Sequence, residues 1–258
     1  METWKRWDLP TNEGTRIHRI GDRRVCVAAD MVGDQYVLAA MALPPEASKG
    51  ARLSLPSLSD AAWTRFYMDK AEGYELAAAY PPIPTCVRLK QPFSMAPGST
   101  VEGWVFSRVE ACVVVGGARV AAFPLATPYK TLYGSPEAGV ICRYDEEEFL
   151  AAAEPVASSL HADQRFVAHP VRLRNASSEP VEVSDLCIYG EQLSIVGGET
   201  SMRSERLLFV FSSSGVRMSL DGQAPLPPGS RVLAKPTVSG EERFIVRSFE
   251  LFKNITRI

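Results

Sequence analysis

Lys130, Tyr133, Arg143 and Tyr144 are the residues whose types and spacing best suit ligand chemistry. They lie in YKTLYGSPEAGVICRY, residues 129–144, where Ser135-Pro136-Glu137-Ala138-Gly139 supplies the turn of an expected hairpin. Lys130 and Arg143 would meet an anionic group, and Arg143 can hold a carboxylate or phosphate through two parallel hydrogen bonds. Tyr133 and Tyr144 add flat apolar area with a polar tip, suited to stacking on a ring. Strand alternation puts Tyr129, Thr131 and Tyr133 on one face of the first arm, with Lys130 and Leu132 on the other. On the second arm Ile141 and Arg143 alternate with Cys142 and Tyr144. The competing expectation is structural: aromatic cross-strand pairing under Lys and Arg stems, or an ion pair between Arg143 and an acid of the run Asp145–Glu148.

Other chemistries find less support. The histidines are His18, His161 and His169, and the cysteines are Cys26, Cys86, Cys112, Cys142 and Cys187, with no C-x-x-C pair. Ligand-spacing rules therefore find no metal site, and no cofactor is implied. The histidines are expected at the surface or in loops, and the cysteines as free, buried thiols. No G-x-S-x-G elbow is present, and FSSSGVR (211–217) reads as a strand end and turn. Glu146, Glu147 and Glu148 read as the solvated start of a helix, while Asp163, Asp185 and Glu191 are isolated carboxylates. Two function classes remain. The first is a noncatalytic ligand-binding or protein-interaction module on a β-sandwich scaffold, the reading favoured by the lack of a catalytic motif. The alternative is a hydrolase acting on a carbohydrate-like or phosphorylated substrate with a cryptic carboxylate site.

The bulk numbers narrow the partners. The chain has 258 residues, 46% hydrophobic and 22% charged, with net charge −2, an ordinary globular composition. No Lys/Arg run exceeds two, which argues against a nucleic-acid stripe. No apolar stretch approaches the ~20 residues that span a bilayer. The start, METWKRWDLPTNEG, lacks an apolar signal core, so the expected location is cytoplasmic. The expected partner is a small anionic ligand or another protein. Asn175-Ala176-Ser177 and Asn254-Ile255-Thr256 read as chance matches to glycosylation sequons.

Strand signals position all of this. RRVCVAAD (23–30) and QYVLAAMAL (35–43) flank a turn at Gly33-Asp34, and VEACVVVGGARVAAF (109–123) flanks Gly116-Gly117, suited to a type I′ turn. HPVRLRNASSEPVEVSDLCIY (169–189) turns between Asn175 and Pro180, and its alternation shifts parity near Ser184-Asp185, predicting a bulge. DEEEFLAAAEP (145–155) predicts a short linking helix and SGEERFIVRSFELFKNITRI (239–258) an amphipathic C-terminal helix packed on a sheet. VRLKQPFSMAPGSTV (87–101) echoes VRMSLDGQAPLPPGSRV (216–232), as two related halves would, although Pro-Gly-Ser is also common turn grammar. The expected fold is mainly β: two β-sandwich-like domains, 1–150 and 151–258, with the linking and C-terminal helices.

YKTLYGSPEAGVICRY, preceded by LKQPFSMAPGSTVEGWV and followed by VRLRNASSEPVEVSDLCIY, resembles DUF432, an uncharacterised prokaryotic family. The resemblance rests on strand-and-turn motifs. It implies no activity and assigns no site residues.

Overall fold

The structure is a computed structural model that describes residues 3–10, 14–43, 55, 57–70, 73–137, 139–151, 163–197, 201–221 and 230–238. Strands dominate these residues, and the helical element among them is a single 3-10 turn at Gly190–Gln192. The chain divides into two compact units, one formed by residues 1–79 and 109–127 and the other by 80–108 and 128–258.

The first unit contains β1 (Lys5–Trp7), β2 (Thr15–Ile20), β3 (Arg23–Val32), β4 (Gln35–Leu43), β5 (Thr64–Met68) and β6 (Tyr74–Ala79), with the later strands β9 (Glu110–Val115) and β10 (Ala118–Pro124). They form two antiparallel sheets, β2-β3-β4-β5 and β1-β6-β9-β10. The β3–β4 turn sits at Gly33, at φ +61°, and the β9–β10 turn at Gly116 and Gly117, at φ +56° and +84°. These are the left-handed angles that the two hairpin sequences predict, and glycine adopts them without strain. β3 and β4 are buried on both faces over Val25–Ala29 and Val37–Met41, matching their nearly continuous apolar runs.

The second unit contains β7 (Thr85–Met95), β8 (Thr100–Arg108), β11 (Tyr129–Tyr133), β12 (Val140–Glu147), β13 (Phe166–Asn175), β14 (Val181–Ile188), β15 (Ile195–Gly197), β16 (Met202–Arg203), β17 (Leu207–Ser212), β18 (Gly215–Leu220) and β19 (Arg231–Ala234). One sheet runs β11-β12-β7-β14. The other runs β18-β17-β13-β16-β15-β19, with β8 on the far edge of β13. Both sheets mix parallel and antiparallel pairs. β7–β8 and β13–β14 cross between the two sheets side by side. At the crossing Gly98 N–H donates to Asn175 O at 2.9 Å and Asn175 N–H donates to Ser99 O at 3.0 Å. The predicted bulge is present, as a register shift between Val183 and Asp185.

The second unit pairs strands from both sides of residue 150, β7 with β14 and β8 with β13, and residues 109–127 of the first unit interrupt it along the sequence. Both stretches of the internal echo fall in the second unit. The first joins strands of different sheets, whereas β18 and β19 lie at opposite ends of one sheet path. The two stretches thus join strands in different sheet arrangements. The expected linking helix is corrected: Asp145, Glu146 and Glu147 belong to β12, where cross-strand hydrogen bonding to β7 outweighs the local helix-start signal. Residues 152–155 of that segment and the C-terminal segment 239–258 lie outside the described residues.

Candidate functional site

The predicted hairpin forms, with β11 and β12 in the register Tyr129↔Tyr144, Lys130↔Arg143 and Tyr133↔Val140. Directly paired residues share a face, so Lys130 and Arg143 lie on one side and Tyr133 and Tyr144 on the other. Lys130 is exposed, Tyr144 half-buried and Arg143 only 3% exposed. Tyr133 packs on a buried cluster of Cys86, Cys142, Cys187 and Tyr189. The hairpin thus brings the four residues onto one element and distributes them over two faces.

The acids that follow are strand residues with a cation of their own. Asp145 and Glu147 point to one face of β12 and are 1% and 7% exposed. Arg108 serves both: its backbone N–H donates to Asp145 Oδ2 at 2.9 Å, its Nη1 donates to Asp145 Oδ1 at 2.9 Å, and its Nη2 lies 3.7 Å from Glu147 Oε1. Burial raises the Glu147 carboxyl to about 7 against the opposing pull of Arg108, with the Asp145 charge adding to the rise.

Two histidines expected at the surface are buried, because each has a hydrogen-bond partner that lets a neutral ring enter a core. His18, 5% exposed, meets Tyr74 Oη through Nε2 at 2.7 Å. Burial, with Arg16 adding to it, lowers its pKa to about 4. His169 is fully buried between Ser107 Oγ at Nε2 and Ser204 Oγ at Nδ1, both at 2.8 Å, and Tyr80 stacks on its ring. Ser204 Oγ donates to Glu205 O, which assigns the His169 proton to Nδ1 and leaves Nε2 to accept from Ser107. Burial lowers the His169 pKa to about 3. Ser107 and His169 have the spacing of a nucleophile and its base, yet both are at 0% exposure. His161 lies outside the described residues.

The five thiols are free and buried, as expected. Cys86 and Cys187 are direct cross-strand partners, and Cys142 Sγ lies 3.6 Å from Cys187 Sγ. Burial raises Cys86 to about 12 and Cys26 and Cys112 to about 11. These shifts make the three thiols poor nucleophiles at neutral pH.

A concavity lies in the first unit, over the β3–β4 hairpin and its neighbour β5. Across β3, β4 and β5 the register sets two rows on one face, Asp30–Val37–Tyr67 and Ala28–Ala39–Arg65. Trp63, Leu55 and Leu58 pack with Cys26, Ala28, Ala39, Met41 and Leu43, covering this face from the Ala28–Ala39 row onwards. The loop carrying Leu58 is fastened by Arg65, whose Nε donates to Leu58 O and whose Nη2 donates to Asp60 O, both at 2.7 Å. Beyond this cover the small side chain of Ala39 leaves a groove of about 360 Å³, lined by Asp30, Val32, Val37, Ala39, Leu58, Ser59, Arg65 and Tyr67. Its floor is apolar. Asp30 stands on one wall, and Arg65 and Tyr67 stand on the other, about 9.5 Å apart at the backbone by strand spacing. The signal available in the sequence was the small residues Ala28 and Ala39 inside bulky strands, together with the polar alternation of Arg65 and Tyr67.

Against known proteins, a family model described as protein of unknown function, DUF432, matches residues 3–253. The chain belongs to this family. No curated protein and no solved structure matches it.

Proposed function

We propose that this DUF432 member is a noncatalytic ligand-binding module on a β-sandwich-like scaffold, and that the groove over β3, β4 and β5 is its site. The observation that carries this is the groove itself: an apolar floor with a few convergent polar groups at its walls, of a size that encloses a small molecule. Hydrolysis is the weaker reading, because Asp145 and Glu147 share one strand face and one arginine instead of facing each other across a cleft. The Ser107–His169 pair is sealed from solvent and lacks a carboxylate at Nδ1, where Ser204 stands. The hairpin is the second candidate, for an anionic ligand, through the exposed Lys130; Arg143 shares its face but is buried, and Tyr133 and Tyr144 lie on the other face. Free, buried thiols fit a reducing compartment and hence the cytoplasm.

A metabolite-library thermal-shift screen tests the proposal. A ligand at a hundredfold excess over its Kd stabilises the native state by about 2.7 kcal/mol. That stabilisation should shrink in Tyr67→Ala, a position 54% exposed and free to change without unfolding, and persist in Lys130→Ala. The opposite pattern moves the site to the hairpin.

A further inference from the structure

We infer that the groove takes a small zwitterion of amino-acid type, with its ammonium group at Asp30, its carboxylate at Arg65 and its apolar part over Val37 and Ala39. This rests on the groove being the ligand site.

The two charges are placed for such a molecule. Asp30 Oδ1 accepts the Met31 N–H at 2.8 Å, which leaves Oδ2 for a ligand. Arg65 is held by Leu58 O and Asp60 O through Nε and Nη2, so its guanidinium is fixed in advance while neither bond uses Nη1. Among the described residues neither Asp30 nor Arg65 has an ion-pair partner. The two stand on β3 and β5 with β4 between them, and the intervening Val37 and Ala39 offer no polar side chain. The site therefore presents an acid and a base across an apolar floor.

This pattern discriminates by charge. A dianion is repelled at Asp30 and a dication at Arg65. A singly charged ligand pairs with one wall and takes water from the other without replacing its hydrogen bonds. A zwitterion satisfies both walls. Tyr67, beside Arg65 on the opposite wall, adds aromatic area to the lining against which the apolar part of the ligand can pack. A volume of about 360 Å³ is at the small end of ligand pockets, suited to one amino acid and too small for an extended oligomer.

The test compares probes that share an apolar body and differ only in charge. Isothermal titration calorimetry on the full chain would use phenylalanine, 2-phenylethylamine and 3-phenylpropionate, then leucine, 3-methylbutylamine and 4-methylpentanoate. At least one zwitterion should bind about tenfold or more tighter than both of its single-charge analogues. Asp30→Asn, with an unchanged unfolding midpoint, should remove that advantage over the carboxylate analogue and leave the analogue's own affinity unaltered. The truncated ligands probe the Arg65 end without disturbing the loop that Arg65 fastens. Equal binding by a single-charge analogue, or no binding by either amino acid, overturns the zwitterion assignment while leaving the groove to the library screen. An amino acid whose affinity is unchanged by both Asp30→Asn and Tyr67→Ala overturns the groove as well.

Discussion

Arg108 shows how much one side chain can carry. It neutralises Asp145, whose carboxylate is almost fully enclosed, and approaches Glu147 on the same strand face. Removing one partner of a buried pair strands the other charge, at a typical cost of about 3–5 kcal/mol. Arg108→Ala should accordingly show a large loss of stability in urea unfolding, and a change below about 0.5 kcal/mol, the size of an ordinary surface substitution, would refute the role. The thiols make a second residue-scale prediction. Native protein should react slowly with a thiol reagent, whereas denatured, unreduced protein should titrate towards the five cysteines of the chain. A denatured count two short would reveal a disulfide. Free, apolar thiols were legible from their scattered positions in hydrophobic runs. The Arg108–Asp145 pairing was not, because thirty-seven positions separate the partners and only β-sheet pairing brings them together.

Among the elements, the hairpins were the most legible. Gly33 and Gly116-Gly117 mark turns through a local steric rule, and the parity change at Ser184-Asp185 marks a bulge through the two-residue period of a strand. The acids at 145–148 misled, since a helix-start signal is a weak local preference and β12 instead gains a parallel neighbour in β7. The run from Asn175 to Pro180 marks a turn, but no local pattern marks Asn175 as the tie of that corner. Its Nδ2 donates to Met95 O at 3.0 Å and to Glu179 O at 2.8 Å, while Oδ1 accepts from Ser177. Asn175→Ala leaves two carbonyls and the Ser177 N–H without these partners, while the Ser177 hydroxyl, which also donates to Oδ1, can turn to Glu179 O, at about 1 kcal/mol for each bond lost outright. A stability loss of about 2–3 kcal/mol is therefore expected, and Asn175→Ala unfolding at the wild-type denaturant midpoint would show that the corner is held by its backbone bonds alone.

At the scale of the whole molecule, the buried histidines give stability a pH dependence. Both have folded pKa values depressed below the ordinary 6.5, to about 4 for His18 and about 3 for His169. Below pH 6.5 the unfolded chain binds protons that the folded chain refuses, so stability is full above pH 6.5 and falls as the pH drops towards those values. His169 alone contributes a slope of up to about 1.4 kcal/mol per pH unit in that window. Glu147, raised to about 7, acts in the opposite sense: its contribution is present below its unfolded value of 4.5 and is lost as the pH rises through 7. Two histidines outweigh one glutamate between pH 5 and 6.5, so the urea midpoint should be lower at pH 5 than at pH 7. An equal or higher midpoint at pH 5 would refute the balance. The sequence by itself determined the mainly β character, the turns and the free thiols, because side-chain alternation, positive-φ glycines and apolar context act within a few residues. Tertiary structure alone decided which strands pair across residue 150, which histidines go inside, and that Asp30 and Arg65 stand across one groove. Those outcomes depend on sheet register, which couples residues tens of positions apart through backbone hydrogen bonds that no local pattern encodes.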